Sequence, residues 1–297
     1  MTRPPPCVRT RSGTEFFWQG FPININYFPR RKAAALAADH RHDFTEILLF
    51  FDGAGSQVID GATVNLSPGM VYCFNGGMVH AFRCEAGSAY ANLMFDPAAL
   101  PLPLAYLGGQ FGFQALFGLR SQRWRRGALP HLQLSPTVMQ EARALVERMA
   151  QEQRQQRPGA RALLIALLSE LLVLLVRAYP AEKPGRDDDA LRLAGLLAEM
   201  SDRCEEAWPL QRMAEAVGLA RSQFVRVFEA ATGQAPHAHL LGLRFRRALD
   251  LLADPAIAIE SIAWQTGFSS PSHFARQFRQ RFGVSPTQWR RAQRNGR

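Results

Sequence analysis

The spacing of hydrophobic and polar positions changes character along the 297 residues. From about Phe21 to Phe95, short apolar runs such as "EILLFF", "QVI", "ATVNL", "MVYCF" and "YANLMF" alternate with Asp52-Gly53, Asp60-Gly61, Pro68-Gly69 and Asn75-Gly76-Gly77. Closely spaced strands closed by such turn formers predict an all-β sandwich or barrel. After Asp96-Pro97 the pattern becomes helical. Ser135-Pro136, a capping residue with Pro at the first helical position, opens a helix over 135–156, and Pro158-Gly159 opens another that runs to Tyr179. Residues 1–20 carry little periodicity and read as an arm, either disordered or folded back on another part of the protein.

The second helix contains "ALLIALLSELLVLLV", 162–176, which is apolar nearly all the way round. One packing partner does not account for such a helix. It is expected to lie against its own barrel on one side and against another helix, preferably from a second copy of the chain, on the other. With fifteen residues, Ser169 and Glu170 inside it and Arg161 and Arg177 closing it, it falls short of the roughly 20 needed to cross a bilayer. No membrane partner is expected, and without a targeting segment the expected location is the cytoplasm.

The stretch 181–186 opens "AEKPGRDDD" and reads as a linker of turn formers and charge; beyond it, 187–297 is helical. There "SQFVRVFEAATGQAP", Ser222 to Pro236, is echoed fifty residues on by "SHFARQFRQRFGVSP", Ser272 to Pro286. Ala214 and Gly218 correspond to Ala263 and Gly267 at a spacing of forty-nine, so one residue is inserted in the second turn. A helix, a glycine turn and a second helix form a helix-turn-helix pattern, here in two copies over about 209–230 and 258–282. Between them, 236–253 reads as one rigid helix.

Charge follows the repeat. From Trp208 to Arg297 there are thirteen Arg against five acidic residues, a balance of +8, while the whole chain carries +10. A basic surface confined to one domain points to nucleic acid, with a merely solvated face as the plainer alternative. Phe274 and Phe278 are i and i+4 and share a core face, which leaves Ser272, His273, Arg276 and Arg279 elsewhere on the helix. The four cysteines lack CxxC spacing and read as reduced thiols.

From about Asp187 to Arg294 the residues resemble the DNA-binding domain of AraC/XylS transcription regulators. The strongest stretch is "IESIAWQTGFSSPSHFARQFRQRFGVSPTQWR", with Ile259, Ile262, Ala263, Gly267, Phe268, Phe274, Arg276, Phe278, Gly283, Pro286 and Arg290 on pattern. Leu240, Arg244, Ala248 and Leu252 match the linker helix. Departures are Ser261, His273, Trp289 and Ala220. The resemblance implies base readers at Arg221, Ser222, Val225 and Arg226 in the first copy and at Ser272, His273 and Arg276 in the second; Arg279 is expected to contact DNA without reading sequence. It implies double-stranded DNA, a small-molecule effector and a second copy of the chain as partners, with RNA polymerase a further candidate.

In the barrel region, His40, His42 and Glu46 share parity, so on one extended strand they would emerge on one face. With Gly53, Gly69 and His80 they resemble the two cupin motifs, departing at Asn75 and Cys84. Three imidazoles and a carboxylate suit a divalent transition metal. Three readings stand: an effector pocket without metal, which is placed first and requires no cofactor; a metal-dependent sensor; and a cupin metalloenzyme. Fusion to a DNA-binding domain favours sensing over catalysis.

The fold class expected is therefore α+β in two domains. A cupin-like β-barrel over 21–134 is followed by a helical dimerisation segment over 135–180, and 187–297 forms an all-α domain with two helix-turn-helix motifs.

Overall fold

A computed structural model describes residues 9–32, 34–59, 62–75, 77–118, 131–180 and 189–295. The expected linker at 181–186, the first eight residues of the arm and the turns at Asp60-Gly61 and Gly76 lie outside these. The chain divides into two compact units, Met1–Gly195 and Leu196–Arg297. The division falls within helix Asp189–Asp202, somewhat beyond the expected linker.

The first unit holds two five-stranded sheets. One is ordered β1 (Arg9–Arg11), β3 (Ala35–His42), β8 (His80–Cys84), β5 (Gly55–Ile59) and β6 (Ala62–Leu66); the other is ordered β10 (Leu132–Gln133), β7 (Met70–Phe74), β4 (Thr45–Asp52), β9 (Ala89–Phe95) and β2 (Ile23–Phe28). The run "EILLFF" lies in β4, whose first seven residues are all buried. Leu48 and Phe50 point between the sheets, where they meet Tyr72, Phe74, Phe82 and Tyr90. Ile47, Leu49 and Phe51 point the other way, into a second core built with helices α4 (Pro136–Gln155) and α5 (Ala160–Ala178). A strand covered on both faces loses the usual alternation, which is why its sequence is continuously apolar. By contrast β3 alternates between covered and exposed positions, as expected of a strand with one face to solvent.

Ser135 caps α4 by accepting from the Val138 N–H. Helix α5 buries eight residues, of which Leu164, Leu168, Leu171 and Leu172 share one core with residues of β2, β4 and α4 of its own chain. Much of its apolar circumference is thus explained without a second copy. Three short helical pieces complete this unit: α1 (Gly13–Phe16), α2 (Leu104–Leu107) and α3 (Phe111–Phe113), the last running into a π-helical turn at Gln114–Gly118.

The described part of the arm is folded back on the first sheet. Residues 9–20 belong to the barrel: β1 pairs in parallel with β3, setting Arg9 opposite His40 and Arg11 opposite His42. The Gly13 N–H donates to Asp43 Oδ1 at 2.8 Å, and the rings of Phe16 and Phe17 lie 6.0 and 5.7 Å from that of Phe44.

After α6 (Asp189–Asp202) the second unit carries both expected motifs. The first is α7 (Leu210–Val217) with α8 (Arg221–Thr232); α9 (Pro236–Leu252) follows, then α10 (Ile259–Gln265) with α11 (Pro271–Phe282), and α12 (Pro286–Asn295) closes the chain. The two turns contain Gly218 at φ +73° and Gly267 at φ +76°. At Gly267 a Cβ would stand 2.4 Å from the Glu205 carbonyl oxygen, so both the backbone angle and the space demand glycine.

The repeats differ at their recognition-helix starts. Ser270 Oγ accepts from the His273 N–H at 3.1 Å, whereas Ala220 offers α8 no side-chain cap. Ala220→Ser is therefore expected to stabilise the second unit by about 0.5 to 1 kcal/mol, and Ser270→Ala to destabilise it by about 1 kcal/mol. The check is a pair of urea unfolding midpoints shifting in opposite directions.

Candidate functional site

In the second unit, Phe224 and Phe228 of α8 and Phe274 and Phe278 of α11 are fully buried. This arrangement fixes which residues the two helices turn outward. Arg221, Ser222 and Arg226 are exposed on α8, with Val225 half-buried between them. On α11, Ser272, Arg276 and Arg279 are exposed, and His273 is half-buried with Nδ1 3.0 Å from Ser269 Oγ. Six of the eight sequence-predicted DNA contacts are thus exposed, while Val225 is half-buried and the half-buried His273 ring lies 5.8 Å from that of the core residue Phe268.

The arginines of this unit divide by what already holds them. Arg244 donates to the carbonyls of Cys204 and Glu206, both at 2.8 Å, and Arg290 to that of Leu252 at 3.2 Å. Arg212 pairs with Glu199 and Glu206 and lies 3.9 Å over the Trp208 ring; Arg247 pairs with Glu205. Arg221 donates to Gln211 Oε1. Arg226, Arg276, Arg279 and Arg281 form no ion pair among the described residues. Sequence reasoning did not separate these two groups, because a charge count does not register carbonyl partners. The second group is an uncompensated basic surface on the recognition helices, suited to phosphate and to the acceptor edge of guanine.

The barrel site forms where the two sheets face each other. His40 and His42 end β3, but Glu46 lies on β4 in the opposite sheet, across the turn at Asp43 and Phe44. The single-strand parity expected for the three residues is therefore incorrect; they converge because the chain crosses between sheets. His80 begins β8 directly opposite His40. His42 Nε2 lies 3.2 Å and His80 Nε2 3.5 Å from Glu46 Oε2, yet neither nitrogen has a partner with hydrogen-bond geometry. All four residues are at most 7% exposed.

The imidazoles are held from behind. Nδ1 of His40 lies 2.8 Å from the Ala38 carbonyl, that of His42 2.7 Å from the Phe44 carbonyl, and that of His80 3.3 Å from the Met78 carbonyl. A carbonyl only accepts, so each Nδ1 carries the hydrogen, and the Nε2 of a neutral ring keeps its lone pair. Burial opposes charge on Glu46, but the close approach of the His42 and His80 imidazoles outweighs it and holds the carboxyl well below its usual range. His40 is pushed down to about 4, by burial first and then by His80.

Donor atoms of His40, Glu46 and His80 all lie within 4.8 Å of one another, a grouping that could hold a metal ion; His42 stands apart from it, stacked on Phe44 at 4.2 Å. Beside them is a cavity of about 90 Å³, room for several waters or one small molecule. Gln57 and Asn92 line it, as do Arg11 and Phe16 from the arm. Gln57 is fully buried with neither amide atom partnered, and Asn92 Oδ1 is likewise unpartnered. Sequence reasoning missed Gln57, Asn92 and Arg11, since no spacing links them to the histidines.

The family model described as an AraC-like ligand binding domain matches residues 30–172, and one described as a helix-turn-helix domain matches 213–292. The HTH-type transcriptional activator RhaR of Klebsiella pneumoniae is 26% identical over 258 residues, covering 86% of this chain and 88% of its own. The HTH-type transcriptional activator RhaS of an Enterobacter species is 28% identical over 281 residues, covering 93% of this chain and 95% of its own. Among solved structures, the DNA-binding domain of AdpA in complex with a target DNA is 30% identical over 36% of this chain and 96% of its own, at a TM-score of 0.35. No helix among the described residues is long and apolar enough to cross a membrane. With a ligand-binding barrel and a tandem helix-turn-helix unit in one chain, the protein belongs to the AraC/XylS family of DNA-binding transcription regulators.

Proposed function

We propose that α8 and α11 enter two successive major grooves of one duplex. In this reading Arg221, Ser222, Val225 and Arg226 face bases in one groove, and Ser272, His273 and Arg276 in the next, while Arg279 holds a phosphate. The observation that carries it is the duplicated motif around a single helix, with arginines free of ion pairs on both recognition helices. Helix α9 has seventeen residues, so at 1.5 Å per residue it is roughly 26 Å long, comparable with the roughly 34 Å of one DNA turn.

The barrel, in our reading, binds a small effector that controls this DNA binding, and the chain has no independent catalytic role. Support comes from the buried, unpartnered amide of Gln57 at the cavity and from the arm residues Arg11 and Phe16 in its wall. An occupant touching both barrel and arm changes the free energy of arm docking and so shifts the population of docked arms. We further place the subunit contact on α4 and α5, where Ala144, Leu145, Val173 and Leu174 line a surface groove. The naming of the relatives as transcriptional activators supports RNA polymerase as a partner at the promoter. A DNA partner sets its work in the cytoplasm.

A metabolite screen against operator binding tests the effector. At least one small polar molecule is expected to change operator affinity in the wild type and to lose most of that effect in Gln57→Leu. Unchanged affinity and transcription across a broad panel would refute control through the barrel.

A further inference from the structure

Each recognition helix carries one sequence-predicted base reader whose polar side is already held by a residue outside that helix. On α8 the reader is Arg221. Its Nε–H donates to Gln211 Oε1, and Gln211 Nε2–H donates in turn to Glu215 Oε1. Both ends of the Gln211 amide are thereby committed, oxygen toward the arginine and nitrogen toward the carboxylate. Gln211 and Glu215 are i and i+4 on α7 and so share one face of it. With Nε taken, Arg221 keeps its two terminal nitrogens, neither of which has a partner among the described residues. A guanidinium fork presented end-on matches the paired acceptors of guanine.

On α11 the held reader is His273. Ser269 Oγ lies 3.0 Å from Nδ1, the backbone N–H donates to Ser270 Oγ at 3.1 Å, and the ring meets that of Phe268 at 5.8 Å and 77°. Backbone, ring face and Nδ1 are all held, and Nε2 has no partner among the described residues. A serine hydroxyl rotates to donate or to accept. Beside a duplex lined with phosphate, the hydrogen of a neutral ring is better placed on the nitrogen turned away from Ser269. Ser269 then donates to Nδ1, and Nε2–H becomes a donor for N7 or O6 of guanine.

Neither device is a product of the repeat. Leu219 and Phe268 follow the two turn glycines and donate alike to the carbonyls of Ala214 and Ala263, both at 3.0 Å, while Ala220 and Ser270 are the N-caps of α8 and α11. Ser269 is therefore the residue inserted in the second turn and has no counterpart in the first. At the spacing of forty-nine, Gln211 and Glu215 correspond to Glu260 and Trp264, a pair that cannot form the same relay. Arg226 and Arg276 are exposed and make neither ion pair nor side-chain hydrogen bond among the described residues. A free arginine gives up side-chain entropy when it docks on a base, whereas a held reader has given up much of it beforehand.

We infer that Gln211 and Ser269 are positioning residues that set base preference, Gln211 by holding the Arg221 fork and Ser269 by holding the His273 ring as a donor, each for one guanine. Because the two devices differ, the two contact blocks of the operator differ in sequence. This rests on the reading that α8 and α11 face bases, and the test separates the two.

The full chain is selected against a randomised duplex pool, and the enriched duplex is compared with its single-base variants by competition binding. Arg221→Ala and His273→Ala locate the two base pairs, each by flattening a preference for guanine at one position. Gln211→Ala is expected to lower that preference at the Arg221 position alone, and Ser269→Ala at the His273 position alone, each by roughly 2- to 10-fold. Affinity for unselected duplex and the urea midpoint are expected to stay unchanged. Gln211→Glu, which keeps an acceptor for Arg221, and Ser269→Thr, which keeps the hydroxyl, are expected to restore the preferences. Nitrogen-15 NMR of the neutral His273 ring, assigned by its absence in His273→Ala, is expected to show hydrogen on Nε2. A base other than guanine at either position overturns the assignment there, and hydrogen on Nδ1 overturns the donor role of His273. A loss spread over all positions in Gln211→Ala or Ser269→Ala overturns the holding role of that residue. Altered profiles in Arg226→Ala and Arg276→Ala beside unaltered ones in Gln211→Ala and Ser269→Ala overturn the holding and leave the base-reading intact. Unaltered profiles in all four overturn both.

Discussion

Phe278→Ala is expected to lower the stability of the helix-turn-helix unit by about 3 to 5 kcal/mol. The side chain is fully buried, and its ring lies within 6.2 Å of those of Phe245, Phe274, Phe282 and Trp289. These neighbours come from α9, α11 and α12, so the cavity left by truncation opens where three helices meet. Each would have to move to fill it, and collapse around one helix would uncover another. A loss of this size is a large share of the stability of an ordinary domain. Urea unfolding followed by tryptophan fluorescence reads it, because Trp289 reports from the same cluster. Operator binding should fall with the folded fraction, and Phe278→Leu should retain much of both. A loss below about 1 kcal/mol for Phe278→Ala would contradict the packing described.

The second large effect is on recognition alone. Arg276→Ala is expected to cost about 1 to 3 kcal/mol at the cognate operator and to relax base preference at one position. Arg276 is exposed, makes no ion pair among the described residues, and lies on α11 opposite the buried Phe274 and Phe278. Fold stability should therefore be unchanged, which separates this outcome from that of Phe278→Ala. Arg279→Ala serves as the contrast: it should weaken all duplexes by a similar factor and lower the slope of affinity against salt by about one unit. Competition assays across single-base operator variants measure both. An unaltered preference profile for Arg276→Ala would remove it from the base readers.

The helical unit was far more legible in the sequence than the barrel site. A motif repeated at fixed spacing, with Phe at i and i+4 and Gly at the turn, reports local rules that neighbours within one helix enforce. Those rules placed Phe274, Phe278, Gly267 and the Ser270 cap correctly. Which arginines were free was hidden, because Arg244 and Arg290 are held by carbonyls about forty residues away in the chain. In the barrel, the four residues His40, His42, Glu46 and His80 were found by spacing, but their arrangement was misread. Phe44 is apolar and seemed to continue a strand, whereas it marks the turn that carries Glu46 to the other sheet. The arm was opaque for a similar reason: β1 pairs with a strand some thirty residues on, and three residues show no period of their own. Gln57 and Asn92 stand on separate strands, and only tertiary closure brings them to one cavity.

The central claim is that one chain reads two successive grooves with two recognition helices. Selection of the purified protein against a randomised duplex pool at fixed salt tests it most directly. Enrichment of a motif with two contact blocks about one helical turn apart, roughly 10 base pairs, is the predicted result. Salt-sensitive binding with no enriched sequence would make the arginines a general electrostatic surface and contradict the two-groove reading.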